Sequence, residues 1–211
     1  MAWDFSTDPA FQEQLDWMRE FVRDEIWPLE TLVDELEQGD LDAIYAPLQA
    51  RVKERGLWAA HLPPELGGQG FGQVKLGLMH EILGSSPFAP AVFGNAAPDS
   101  GNSEVLALAG TPDQKERYLH PLLAGDLRSA FSMTEPETAG SDPTLLRTRA
   151  IQDGDDWVIN GHKWFSTNGS VADFLIVMAV TDPDARPHQR ASMFVVDADT
   201  PGVEIVRDVA T

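Results

Sequence analysis

The pattern of the chain changes once, near Ala130, and that change limits the folds open to it. Before it, apolar residues recur at helical spacing; after it, β-branched and aromatic residues alternate with polar ones in short runs. A helical block followed by a strand block selects an α+β architecture and argues against alternating βαβ units, which would interleave the two patterns. The expected domains are residues 1–127, all-α, and residues 128–211, an antiparallel β-barrel or sandwich.

Local signals place the elements. Asp8 can cap a first helix, Pro9 suits its first position, and Phe11, Leu15, Met18, Val22 and Ile26 form one apolar stripe before Pro28 interrupts it. Further helices are expected over 40–55, ending at Gly56, over 74–83, within 103–109, and from Thr111 and Pro112 to Gly125 with Tyr118 and Leu122 on the apolar side. The Gly/Pro-rich stretch 62–70 reads as a helix-linking turn. Strands are expected over 144–152, 156–159, 162–167, 174–181, 192–197 and 203–206. Asp153-Gly154 and Asn160-Gly161 both read as two-residue hairpin turns.

Charge and composition remove several functions. Thirty-four acidic against fifteen basic residues give a formal net charge of −19, which repels nucleic-acid backbones and anionic membrane surfaces. The absence of cysteine excludes disulfides, thiolate metal sites and cysteine nucleophiles. No apolar stretch approaches the ~20 residues that span a bilayer. The first five residues carry no basic, apolar leader pattern, so a cytoplasmic location is expected. The five histidines lack ligand spacing, and His80-Glu81 departs from a zinc-protease motif at Gly84, so no metal is expected. Neither a nucleophile elbow nor a phosphate-binding loop of the P-loop kind occurs.

Two polar segments remain. In the run from Phe131 through Met133 and Thr134 to Gly140 and Ser141, Pro136 fixes a turn and Gly140 permits close backbone approach. The Thr134 and Ser141 hydroxyls can meet a polar ring edge or a phosphate. In the second segment, 160–169, a hairpin strand is expected to send Trp164, Phe165, Ser166 and Thr167 to alternate faces, one of which can meet a flat ligand.

In this order the segments T-E-P-x-x-A-G-S-D and N-G-x-K-x-x-x-T-N-G resemble the two signature loops of the acyl-CoA dehydrogenase family. The run Leu62-Pro63-Pro64-Glu65 with Gly67, Gly68 and Gly70 is similar to that family's loop in its helical domain. Residues 97–102 with Gly110-Thr111 and Gln114-Lys115 are similar to its long-form branch. The resemblance covers essentially the whole chain and implies FAD as cofactor. It places Phe131, Met133 and Thr134 along the flavin, with Thr134 at the pyrimidine edge. Gly140 and Ser141 fall at the cofactor phosphate, Ser141 also at the acyl-CoA entrance. Phe165, Ser166 and Thr167 fall against the ring, with Thr167 reaching N5.

Two departures are visible: Phe165 stands where many relatives have tryptophan, and one extra residue separates Pro136 from Gly140. The implied reaction is α,β-dehydrogenation of an acyl-CoA thioester in fatty-acid oxidation, with electrons passed to an electron-transfer flavoprotein. The implied full-length assembly is a dimer or tetramer. The family's catalytic base is a glutamate beyond the sheet that no acidic residue here matches, so no catalytic residue is assigned. The expectation is an incomplete β-domain, an absent C-terminal helical domain, and a chain inactive by itself. Related chemistries on the same fold are acyl-CoA oxidation by oxygen and flavin-dependent hydroxylation; a non-catalytic subunit that needs a partner chain is the remaining alternative.

Overall fold

Helix α1 (Pro9–Phe21) starts where the Asp8 carboxylate accepts the Phe11 amide at 2.9 Å, meeting one donor that the helix leaves unpaired, and Pro9 needs no such partner. Its stripe is buried as the spacing predicts, at Phe11, Leu15 and Met18. The helical path continues through a π-turn (Val22–Ile26) and a 3-10 turn (Trp27–Leu32), which keep Val22 and Ile26 inside. The computed structural model describes residues 6–32, 38–66 and 68–209; the first five residues and Gly67 lie outside these.

Helix α2 (Gln38–Glu54) is followed by Gly56 at φ +66°, the left-handed conformation that closes helices on glycine. Helices α3 (Gly72–Leu83) and α4 (Ala89–Val92) complete the first of two compact units, which divide between Ser100 and Gly101. Met18, Ile26, Val52, Met79, Leu83 and Phe93 are fully buried in its single core, each contributing about 1.5–3 kcal/mol by leaving water. The turn before α3 is equally tight. A Cβ on Gly68 would overlap the Leu62 carbonyl, a backbone group that cannot swing aside. Gly68→Ala is therefore expected to destabilise this unit by about 1–3 kcal/mol, read as a lower denaturant midpoint.

The second unit opens with α5 (Asp99–Ala109), which begins at the division, then α6 (Pro112–Gln114), a π-turn (Lys115–Leu119) and α7 (His120–Ala124). Thr111 and Gln114 form the expected cap: the Gln114 amide donates to Thr111 Oγ1 at 3.2 Å, and the Thr111 amide to Gln114 Oε1 at 2.9 Å. Gly125 closes α7 at φ +82°. Within this unit the buried Asn102 side chain donates to Ser129 Oγ at 2.8 Å, Tyr118 packs on Phe174 with ring centroids 4.9 Å apart, and Tyr118 Oη donates to Asp197 at 2.7 Å. These contacts tie α5 and the π-turn to the sheet. The changeover from helix to strand falls at residue 129, while the compact unit starts at Gly101.

The sheet has β1 (Ser129–Ser132), β2 (Arg149–Asp153), β3 (Asp156–Asn160), β4 (Phe174–Val180) and β5 (Ala191–Asp197). It is mixed rather than antiparallel throughout. β4 runs parallel to β1, Ser129 opposite Phe174 and Ser132 opposite Val177, and parallel to β2 at Arg149 and Val180; β5 lies antiparallel along its other edge. Hairpin signals report only neighbours in sequence, and the β1–β4 pair is joined by 41 intervening residues that no local signal spans.

Gly154 makes the β2–β3 turn with φ +64°, Asp153 facing Asp156 across it. Five other expectations fail. Phe131 and Ser132, which open the first polar segment, belong to strand β1 rather than to a loop. Residues 144–148 precede β2, with a 3-10 turn at Pro143–Leu145. Neither 162–167 nor 203–206 forms a strand. Asn160-Gly161 is no hairpin turn: Gly161 is required because a Cβ there would collide with the Thr148 side chain, Cβ to Cβ at 2.5 Å.

Candidate functional site

The first polar segment leaves the C-terminal end of β1, and the second leaves β3 at Asn160. Arg149 pairs with both Asn160 and Val180, so the second loop starts beside the C-terminal end of β4, near where β1 stops. The parallel β1–β4 arrangement thus delivers both loops to one end of the sheet.

Four hydrogen bonds join them. Lys163 Nζ donates to Met133 O at 2.8 Å and to Glu135 Oε1 at 2.9 Å; the Trp164 amide donates to Thr134 O at 3.0 Å; Ser132 Oγ donates to Ser166 Oγ at 2.9 Å. Residues 132–135 therefore lie against 163–166. The turn holding Gly140 folds back on the same place, since a Cβ there would stand 3.1 Å from Thr134 Cγ2.

The structure in this way gathers Met133, Thr134, Gly140 and Ser166, with Phe165 and Thr167 on the same loop as Ser166. Phe131 sits half-buried on β1, and Ser141 stands on the exposed turn after Gly140.

The second loop does not alternate its side chains as a strand would. Phe165 adopts φ +53°, a left-handed conformation costly for a bulky residue, and both Trp164 (37% exposed) and Phe165 (52% exposed) reach solvent with ring centroids 4.5 Å apart. A strained backbone that displays two neighbouring aromatics, with the exposed Thr167 two residues on, is a feature that concentrates at ligand sites.

Beneath this surface lies a charge pair that the sequence reading missed. Glu135 is only 4% exposed. Its carboxylate accepts the amides of Arg147 at 2.7 Å and Thr148 at 2.8 Å as well as Lys163 Nζ, whose side chain is 11% exposed. Burial pushes the Glu135 carboxyl up, but the hydrogen bonds from Thr148, Lys163 and the Arg147 amide outweigh it and hold the group at about 2, against an ordinary 4.5. For Lys163 burial is the larger effect and pulls the ammonium down, with Glu135 offsetting part of it. The downward shift at Glu135 is the firmer of the two, because its carboxylate has two backbone donors besides the lysine. Such a carboxylate is a poor proton acceptor and does not serve as a catalytic base. The available signal was one acid and one base, 28 residues apart, with Lys163 the sole Lys or Arg of its segment.

Among the described residues no group of three or more His, Cys, Asp or Glu is disposed to hold a metal, and no helix is long and apolar enough to cross a membrane. The site offers hydroxyls, backbone groups and aromatic faces. That donor set suits a planar, polar-edged ligand.

Comparison with known proteins decides the family. The model of the acyl-CoA dehydrogenase N-terminal domain matches residues 9–126, and that of the acyl-CoA dehydrogenase middle domain matches residues 130–211. The chain belongs to the acyl-CoA dehydrogenase family. It is similar to mouse (Mus musculus) acyl-CoA dehydrogenase family member 11, 37% identical over 217 aligned positions that cover 98% of this chain and 28% of that protein. A solved acyl-CoA dehydrogenase homologue from Mycobacterium abscessus superposes with a TM-score of 0.87 at 40% identity, covering 98% of this chain and 54% of that one. The FAD complex of PigA superposes with a TM-score of 0.76 at 26% identity, over 95% of this chain and 51% of that one. The chain thus spans about half the length, or less, of these family relatives.

Proposed function

We propose that this chain supplies the FAD-binding and acyl-CoA-facing part of an enzyme that dehydrogenates an acyl-CoA thioester between its α and β carbons. The observation that carries the reading is the joining of residues 132–135 to 163–166 beneath the exposed, strained Phe165. This presents an aromatic face beside hydroxyls, with the Glu135–Lys163 pair held beneath the loops.

These residues fit a flavin. Phe131, Met133 and Phe165 would offer apolar contact, Thr134, Ser166 and Thr167 hydrogen bonds, and Gly140 close approach for a phosphate. Ser141 would stand at both the phosphate and the acyl-CoA entrance. The PigA structure, which holds FAD on a similar fold, supports the cofactor assignment. FAD, when bound, supplies acceptance of the β-hydride; the chain's own part is to orient and to bind.

The functional domains are read as 1–127 and 128–211, in line with the spans of the two family models. The full enzyme is read as a cytoplasmic homo-oligomer of fatty-acid oxidation that passes electrons to an electron-transfer flavoprotein. No carboxylate in these 211 residues corresponds to the family's base, so the chain by itself is read as binding without turnover.

Titration of FAD with the purified chain tests the binding. Flavin fluorescence is expected to change saturably, and Thr134→Val or Thr167→Val to weaken the affinity about five- to tenfold, the equivalent of one hydrogen bond of about 1 kcal/mol. A wild-type titration without a saturable signal refutes the cofactor assignment. Anaerobic addition of acyl-CoA to the loaded chain is expected to leave the flavin oxidised, and rapid bleaching would show that the chain carries its own base.

A further inference from the structure

We infer that Glu135 and Lys163 are a positioning pair: buried under the two loops, they hold the first against the second and so set how well the chain grips its flavin. The inference rests on the FAD reading above for its ligand and on the geometry below for the clamp.

Lys163 reaches across to two acceptors of the first loop, the Met133 carbonyl and the Glu135 carboxylate, which flank Thr134 on either side. Thr134 O then accepts the amide of Trp164, the residue next to Lys163. Three successive residues of one loop are thus fixed by two successive residues of the other. Glu135 extends the grip to the start of β2 through the Arg147 and Thr148 amides. Gly161 presses on the Thr148 side chain from the second loop, closing the circuit.

Glu135 is buried and Lys163 largely so, and both are taken up by each other and by backbone groups, so their effect on a cofactor passes through Thr134 and Phe165. Phe165 lies two residues beyond Lys163 in a left-handed conformation that a free loop would abandon. A buried ion pair with its remaining sites filled by backbone donors is weak as a source of net stability but strong as a geometric constraint, because removing one partner leaves the other charge unpaired. That asymmetry gives the pair its expected signature, in which each single loss is worse than the joint loss.

The test compares wild type with Lys163→Met, Glu135→Gln and the double variant Glu135→Leu/Lys163→Met by two measurements: amide hydrogen exchange and FAD affinity by fluorescence. The expected result for each single variant is Trp164 amide exchange at least tenfold faster, while amides of β4 change less than threefold, and FAD affinity at least tenfold weaker. The double variant is expected to recover part of both.

A merely structural role would speed exchange at Trp164 and β4 together, and that outcome overturns the inference. So does unchanged Trp164 protection in the single variants. Wild type that binds FAD while Lys163→Met binds it equally well sinks the clamp and leaves the cofactor reading standing. Wild type that fails to bind FAD sinks the cofactor reading and the cofactor half of the inference together, with the exchange data still deciding the clamp itself.

Discussion

Between pH 4.5 and pH 2 the sheet-bearing unit is expected to lose about 3 kcal/mol of stability through Glu135 alone. Its carboxyl titrates at about 2 in the folded protein against 4.5 ordinarily, so the folded state binds this proton less readily than the unfolded state does. The stabilisation is therefore fully present above pH 4.5 and declines as pH falls toward 2. A drop of that size, at about 1.4 kcal/mol for each factor of ten in proton affinity, gives the stated loss. Solvent screening takes little from it, because the Glu135 carboxylate is itself buried and one of its donors, the Thr148 amide, is buried with it. Denaturant unfolding at successive pH values checks this, with Glu135→Gln as the control. The wild-type curve should fall more steeply than the variant's across that window, and parallel curves would show that the carboxylate gains nothing from its donors. At neutral pH the same variant should be the less stable of the two, since an amide cannot accept from three donors as a carboxylate does.

The helical half was legible because its signals are local. Asp8 before Pro9, Thr111 before Pro112, Gly56 and Gly125 each fix an element boundary with groups a few residues away, and the stripe from Phe11 to Ile26 has only one helical face to bury. The strands were half legible. β4 and β5 stand within a residue of where alternation put them, but β1 was hidden because Phe131 and Ser132 belong to a polar motif that draws the eye to a loop.

Residues 162–167 misled in the opposite way. Trp164, Phe165 and Thr167 have strand-like composition, yet the loop is held by Lys163 Nζ and by the Trp164 amide to partners some 30 residues away, and no strand pairs with it. The site residues were found through the likeness of two motifs, whereas the pair that fixes those motifs together was not, because burial of a glutamate and a lysine cannot be read from a window of sequence. Composition makes both residues look like surface.

The contrast between two phenylalanines separates what the fold needs from what the site needs. Phe174→Ala is expected to destabilise the sheet-bearing unit by about 3–5 kcal/mol, the ordinary cost of deleting a fully buried aromatic ring from a core. Phe174 opens β4, the strand that β1 and β5 both pair with, and its ring carries Tyr118, so the vacated volume sits where helix and sheet meet in that unit. Phe165→Ala removes a ring that is 52% exposed, and leaves the left-handed backbone without its bulky side chain. Its expected cost is below about 0.5 kcal/mol, as for most surface changes, while FAD affinity should fall at least fivefold. Urea unfolding and flavin titration of the two variants give both numbers. If Phe165→Ala were to bind FAD as wild type does, the exposed ring would be no part of the cofactor site, and the strain at Phe165 would lose the ligand that accounts for it.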